Sequence, residues 1–370
     1  MKNILLRNSL GLLLVLGLIA LIAPYGVSSR ASTTLGNKIK AIDGWLKEQH
    51  KKGAFNGTVL IVQKGKTLLM KGYGYTNYRR NKKLTPQSSL RLASVSKQFT
   101  AAGIMRLHQK GLLKYDAPLS KYFKNFPYPK ATVRQLLTHT SGIPDVYMEL
   151  ADKHDDLVGE VLSIQEVVKL LTAFPNKNKA YKPNERFQYC NTGYVLLAAV
   201  IEKVSGESFE AYMKKELFDP LKMKNTRVWN LFSAQKTFAN KTTGFWYASG
   251  KYHLHTPSFL DGVAGDGAVF SSVEDFVIWD KFWYGNSLIS PQNLKEAFKP
   301  VKLNNGKISK YGFGWQLESN TRVSHTGSWL GARTAIVRDT KAKVCLVVLD
   351  NSTNKKMYKI MNKLKDELLE

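Results

Sequence analysis

Cysteine is nearly absent from this chain of 370 residues, with only Cys190 and Cys345 present. Two thiols exclude a disulfide framework, and each lies in a core-like apolar run, where a free buried thiol is expected. Acidic residues are scarce as well, 28 against 55 lysines and arginines, for a net charge of +27. The excess charge is scattered singly apart from one cluster, Arg79-Arg80-Asn81-Lys82-Lys83. Basic residues interleaved with stacking aromatics are lacking, so no nucleic-acid partner is expected. Attraction to anionic membrane or envelope polymers is the expected consequence of such a surface. Metal-like spacing is confined to His253-Leu254-His255, without a cysteine or carboxylate at ligand distance, so no metal and no other cofactor is expected. Repeats and low-complexity linkers are missing too. What is plentiful is hydrophobic residues, 44% of the chain, enough for a large core in one composite domain or two lobes.

Only the N-terminus carries a long apolar run. Lys2 and Arg7 precede Leu10 to Ala23, followed by Pro24 and the small residues Ser28, Ser29 and Ala31. That is the layout of a secretory signal, so residues 1–31 are expected to be a signal peptide or a membrane anchor, and 32–370 the mature domain. Cleavage is favoured, although the uncharged stretch 8–29 is long enough to span a bilayer and offers membrane association as the other outcome. Export to the periplasm or cell envelope follows either way. No cysteine closely follows the run, which disfavours a lipid anchor.

Periodicity gives the organisation. A polar helix over 35–49 precedes two strands, 57–63 and 67–73, joined across Lys64-Gly65-Lys66 as a hairpin. A helix beginning near Ser94 ends at Gly111. From about 112 to 300 the pattern is largely helical, including 164–174, 193–204 and 209–217. Strands are then expected at 313–317, 322–326, 334–339 and 343–349, with a closing helix at 355–368. The fold class is therefore α/β: a central antiparallel sheet built from both chain ends, flanked by helices, with a largely helical inserted lobe.

Within that frame Ser94-Val95-Ser96-Lys97 carries chemistry. Three residues of helical spacing bring the hydroxyl and the amine onto one face, and Phe99, Ala101, Ala102, Ile104, Met105 and Leu107 behind them predict burial all round. An unpaired ammonium is costly to bury, and a neutral amine beside a serine is a general base beside its nucleophile. The same spacing recurs at Ser233 to Lys236, in a polar loop, and at Ser352 to Lys355, where Ser352 is expected to cap the last helix.

Two further motifs follow in order, Tyr189-Cys190-Asn191 and His325-Thr326-Gly327. Tyr-x-Asn also occurs at Tyr75 and Tyr284, but only Tyr189 lies in Phe187-Gln188-Tyr189-Cys190-Asn191-Thr192-Gly193-Tyr194. With these three motifs the chain resembles the serine β-lactamase and penicillin-binding-protein superfamily. Its class C β-lactamase, D,D-carboxypeptidase and esterase branch is the nearest in pattern. Leu136-Leu137-Thr138-His139-Thr140-Ser141-Gly142-Ile143-Pro144, Pro220-Leu221-Lys222-Met223 and the loop from Gly265 to Asp275 add to the resemblance, which covers roughly 35–351.

The resemblance implies that Ser94 attacks a carbonyl while Lys97, Tyr189 or the two together take its proton. Asn191 would bond Lys97 and the substrate amide, and Thr326 and Gly327 would line the groove. The backbone N–H groups of Ser94 and Ser328 would hold the oxyanion. His139 is expected to be a structural, hydrogen-bonded residue. His325 stands where potent β-lactamases usually carry lysine, and a neutral imidazole attracts a substrate carboxylate less than an ammonium. Arg333 could replace that charge or face solvent as an ordinary strand arginine. Cys190 replaces a common serine. The expected function is an exported serine hydrolase acting through an acyl-enzyme on amide or ester bonds, with a small-molecule or peptide substrate such as D-alanyl groups of the cell envelope. A true β-lactamase and a catalytically silent penicillin-binding-like sensor are the alternatives.

Overall fold

The computed structural model describes residues 27–354 and 356–369. The apolar stretch 8–29, apart from its last three residues, and Lys355 lie outside them. Among the described residues no helix is long and apolar enough to cross a membrane. The chain divides into two compact units, Met1–Ala41 and Ile42–Glu370, the break falling inside the first helix, Val27–Lys51. The second unit carries the sheet and all three motifs.

Its centre is a six-stranded antiparallel sheet. Across the sheet the order is Gln316–Leu317, Arg322–Trp329, Ala332–Asp339, Val344–Asp350, Gly57–Gln63 and Lys66–Tyr73. The two chain ends meet where Gly57–Gln63 pairs with Val344–Asp350, Leu60 opposite Val347. These strands are runs of β-branched and aliphatic residues because both faces are covered. Leu60, Val62, Cys345, Val347 and Leu349 join the main core. The alternate residues Val59, Ile61, Leu346 and Val348 are buried on the other face. The closing helix Met357–Leu369 packs there on the Val344–Asp350 strand, burying Met357, Ile360, Met361 and Leu364. The inner face meets the helix Val273–Phe282. Arg338, fully buried on that side, reaches Asp280 at 2.7 Å.

The helix after Ser94, Lys97–Gln109, lies in the main core with ten of its residues buried, and Gly111 beyond it adopts φ +74°. It packs on Asn191–Ser205, the helix that carries the second motif.

Several expected boundaries are corrected. The strand expected at 313–317 shrinks to Gln316–Leu317. Gly314 turns at φ +75°, and a Cβ there would fall 2.7 Å from the Lys97 carbonyl, so this segment packs end-on against the serine helix before it can pair. Ser352 does not cap the last helix, which starts at Met357; its hydroxyl donates to Asp350 Oδ1 instead. The inserted lobe is less helical than its pattern suggests. It contributes Arg227–Val228 and Val269–Ser271 to a small sheet with Leu90–Arg91, and a separate hairpin, Phe245–Ala248 with Lys251–Leu254. His253 and His255 serve that hairpin: His253 stacks on Trp246, and His255 bonds Thr353. Cys190 and Cys345 are free and buried.

Candidate active site

The serine motif enters as a tight turn. Ala93 has φ +50°, a costly conformation for a residue with a side chain, and Ala93–Ser96 forms a 3-10 turn before the α-helix starts at Lys97. The turn is held by its neighbours, since Ser96 Oγ accepts from the Val269 N–H and the Leu92 N–H donates to the Val269 carbonyl. Ser94 is thereby placed at the mouth of a cavity of about 230 Å³ that Asn191, Asp266, Ser328, Trp329 and Tyr147 also line.

Lys97 is fully buried, yet it is not the unpaired cation that burial alone would penalise. Its Nζ donates to Ser94 Oγ at 3.3 Å, Asn191 Oδ1 at 2.9 Å and the Asp266 carbonyl at 2.9 Å. Three acceptors match the three protons of an ammonium. In that state the amine is satisfied and aimed at the serine; after losing a proton it becomes the nearest acceptor for the Ser94 hydroxyl. The Asp266 carbonyl is brought in by its glycine neighbour. Gly265 sits at φ +105°, where a Cβ would meet the Tyr194 carbonyl at 2.4 Å, so only glycine lets the loop lie this close to both helices.

Asn191 is the first residue of its helix, and the cap before it is Cys190. The thiol accepts from the Gly193 N–H at 3.3 Å and donates to the Ile143 carbonyl at 3.4 Å. Thus the residue in the serine position keeps a capping role while burial pushes its thiol well up, away from thiolate reactivity. Asp145 completes the mount. Its Oδ2 accepts from Asn191 Nδ2 at 3.1 Å, while Oδ1 accepts from the Thr192 N–H at 2.8 Å and the Thr192 hydroxyl at 3.0 Å. By taking the amide nitrogen, Asp145 turns the Asn191 oxygen toward Lys97.

Tyr189 is half-buried, its ring centroid 4.9 Å from Lys97 Nζ. Among the described residues its hydroxyl makes no hydrogen bond, so it is near the proton-transfer pair without being engaged by it. His139 packs against the same ring at 4.3 Å, and its Nδ1 accepts from the Cys190 N–H. That contact fixes the proton on Nε2, and burial together with the nearby Lys97 holds its pKa well below the usual histidine value.

The third motif lies on the strand Arg322–Trp329. Gly327 is required by the approach of this strand to the serine turn: a Cβ would fall 2.4 Å from the Leu92 carbonyl, 2.5 Å from Thr334 Oγ1 and 2.9 Å from the Ser94 nitrogen. Thr326 and Ser328 are exposed on the groove side, and Arg333, opposite Ser328 in register, donates to the Ser328 hydroxyl. His325 is the residue placed differently from expectation. It is buried, with Nε2 2.8 Å from the Tyr311 hydroxyl and Nδ1 2.7 Å from the Thr326 carbonyl. Only the Nδ1–H tautomer satisfies both, Tyr311 donating to Nε2. The imidazole therefore has no free edge for substrate and sits behind the groove, next to the Tyr189 ring.

Burial, then the Lys97 charge, lowers the His325 pKa to about 3 against an ordinary 6.5. A histidine kept neutral when folded stabilises the protein above pH 6.5 and loses that contribution as pH falls toward 3, by at most about 1.4 kcal/mol per pH unit. His139 acts with the same sign, whereas Asp350, pushed up to about 6, and Asp266 act with the opposite sign. The difference between wild type and His325→Gln isolates the one group. Wild type should lose more thermal stability between pH 7 and pH 5 than the variant, and parallel melting curves would contradict the buried neutral imidazole.

Sequence inspection missed Asp145, Asp266 and Tyr311. Asp145 directly follows Ser141-Gly142-Ile143-Pro144, so the motif-bearing loop pointed to it, whereas Tyr311 carries no local signal. Asp266 acts through its carbonyl, and its carboxylate accepts from Tyr147 at 3.1 Å, a contact that residue type does not announce.

Comparison with known proteins agrees with this geometry. The Beta-lactamase family model matches residues 42–370. Penicillin-binding protein 4* of Bacillus subtilis (strain 168) is 35% identical over 338 residues, covering 87% of this chain and 74% of the relative. Protein flp of Staphylococcus aureus (strain MW2) is 26% identical over 341 residues, covering 89% of this chain and 66% of its own length. Among solved structures, the octameric penicillin-binding protein homologue from Pyrococcus abyssi superposes with a TM-score of 0.72 at 28% identity, over 89% of this chain and 79% of that one. D-amino acid amidase from Ochrobactrum anthropi SV3 shares the fold, with a TM-score of 0.70 at 22% identity over 91% of this chain and 97% of that one. The family model spans the whole second unit, in which Lys97 bonds both Ser94 and Asn191, and the chain belongs to the β-lactamase family, whose members are serine hydrolases related to penicillin-binding proteins.

Proposed function

We propose that the protein is an exported acyl-transfer hydrolase in which Ser94 attacks the carbonyl of a D-alanyl ester or amide of the cell envelope. The observation that carries this is the Lys97 amine, buried and held by Asn191 and Asp266 with its third contact on Ser94 Oγ. In the forward step the Ser94 oxygen bonds to the carbonyl carbon and its proton passes to the neutral Lys97 amine, with the Tyr189 hydroxyl as the other acceptor proposed for it. The oxyanion is held by the N–H groups of Ser94 and Ser328. The proton then goes to the leaving alcohol or amine as the acyl-enzyme forms, and water reverses the sequence. Thr326 and Gly327 shape the strand edge along which substrate lies. Residues 1–31 serve as the export signal or anchor, and 32–370 as the hydrolase domain.

His325 supports an ester- or D-alanyl-directed role over a β-lactamase one. A histidine with a pKa near 3 carries no charge at neutral pH, so the third motif supplies no cation for a β-lactam carboxylate. Arg333, one strand further on, is the cation nearest to the Ser328 edge. The test compares kcat/KM for a D-alanyl ester, a D-Ala-D-Ala peptide and a chromogenic cephalosporin. The ester or peptide should be the best substrate, and the cephalosporin should form an adduct that hydrolyses slowly. Rapid cephalosporin turnover with negligible ester or peptide hydrolysis would make this a β-lactamase.

A further inference from the structure

The basic cluster Arg79–Lys83 takes no part in the site above, yet it does not simply face solvent. Arg80 folds back from its turn and lies between two rings, its guanidinium carbon 4.6 Å from the centroid of Tyr75 and 4.8 Å from that of Tyr252, and it donates to the Tyr252 hydroxyl. Beside it opens a cavity of about 570 Å³, more than twice the volume of the one at Ser94. Its aromatic wall is the hairpin bearing Phe245, Trp246, Tyr247 and Tyr252, and Arg80, Lys51 and Lys52 line it as well, Lys51 being paired with Glu48 at 2.8 Å. None of its lining residues is acidic. Tyr247 is 63% exposed, an unusual position for a large aromatic, although one side of its ring meets Tyr252 at 4.9 Å across the hairpin. Asn56, Ser352, Thr353 and Asn354 supply neutral polar groups between the rings and the cations.

We propose that this cavity is a binding site for an anionic polysaccharide, one whose sugar rings carry carboxylate or phosphate groups. The exposed Tyr247 ring offers an apolar face to the C–H face of a pyranose, the amides and hydroxyls meet sugar hydroxyls, and the lining cations meet the acidic groups. A single-stranded nucleic acid would need a run of free ring faces along a continuous basic track. Here Arg80 covers Tyr75 and Tyr252, and His253 stacks on Trp246 at 5.1 Å.

Backbone hydrogen bonds join this site to the turn after the strand that borders the reaction cavity. The Thr353 N–H donates to the Gly331 carbonyl at 2.8 Å and the Phe245 N–H to the Asn351 carbonyl at 2.9 Å. Gly331 lies two residues beyond Trp329, which lines the Ser94 cavity. A polymer held on the hairpin would therefore present its substituents near the strand edge where hydrolysis is proposed.

The test is calorimetric titration of the full chain with polygalacturonate, dextran, polyphosphate and oligo(dT) at one ionic strength. Polygalacturonate should bind, and the other three should bind more weakly, dextran for want of charge and polyphosphate for want of sugar rings. Tyr247→Ala, whose ring is mostly exposed and whose loss should leave the fold intact, and Trp246→Ala should each weaken polygalacturonate binding at least about fivefold, as truncating an aromatic anchor does. Lys52→Gln should weaken it and flatten its salt dependence, with ester turnover on a small substrate unchanged in all three variants. Equal affinity for polyphosphate or oligo(dT), or unchanged affinity in both aromatic variants, would show nonspecific adhesion to a chain of charge +27 and overturn the proposal. The readout is binding, so that failure would leave the assignment of Ser94 untouched.

Discussion

Ser94→Ala should reduce hydrolysis of a D-alanyl or p-nitrophenyl ester by a factor on the order of 10⁴ to 10⁶, leaving only what groove and oxyanion donors provide without a nucleophile. The fold should survive. Ser94 Oγ accepts one hydrogen bond from Lys97, and Lys97 keeps the Asn191 and Asp266 oxygens as acceptors when that contact is lost. KM should change far less than kcat, because the hydroxyl contributes to bond formation more than to ground-state binding. Purified variant at high concentration, checked for unchanged melting temperature, gives the measurement. Residual turnover within about tenfold of wild type would remove Ser94 from the chemistry.

Lys97→Met should cost about 10² to 10⁴-fold in the acylation rate, the usual loss when general-base assistance is removed. This variant also disturbs structure. It leaves Asn191 Oδ1 and the Asp266 carbonyl without their donor in a buried setting, at about 1–3 kcal/mol for each unsatisfied group. The rate must therefore be taken well below the melting transition. Tyr189→Phe is the informative companion. Its hydroxyl touches neither Ser94 nor Lys97 here, yet its ring lies 4.9 Å from the amine. If both residues move one proton, each single variant should be slow and the double variant scarcely slower. Additive losses would assign them to separate steps, and normal turnover in folded Tyr189→Phe would leave Lys97 as the sole base.

The parts of this architecture that were legible in sequence are those whose signal is local. The strands Gly57–Gln63 and Val344–Asp350 are continuous apolar runs because both their faces are covered, and that pattern survives without knowledge of the partner. Ser94 and Lys97 are one helical turn apart ahead of an apolar run, so their contact follows from spacing together with the local pattern. Asn191 could be associated with them only through motif order, and its orientation depends on Asp145, 46 residues away in sequence. The two-residue strand Arg227–Val228 and the three-residue strand Val269–Ser271 are too short to show a clear period, which is why the inserted lobe read as largely helical. His325 shows the limit most clearly. Its strand position suggested a groove residue, but its environment is set by Tyr311 on the preceding segment, which takes Nε2 and turns a candidate substrate contact into a buried neutral support.

The central claim, that Ser94 becomes covalently acylated, is tested most directly by intact-mass analysis of the protein after brief exposure to a penicillin and to an activated D-alanyl ester, followed by peptide mapping. The account predicts one adduct per chain, located on the peptide containing Ser94 and absent from Ser94→Ala. An adduct of equal yield in Ser94→Ala, or one mapped to another residue, would contradict it.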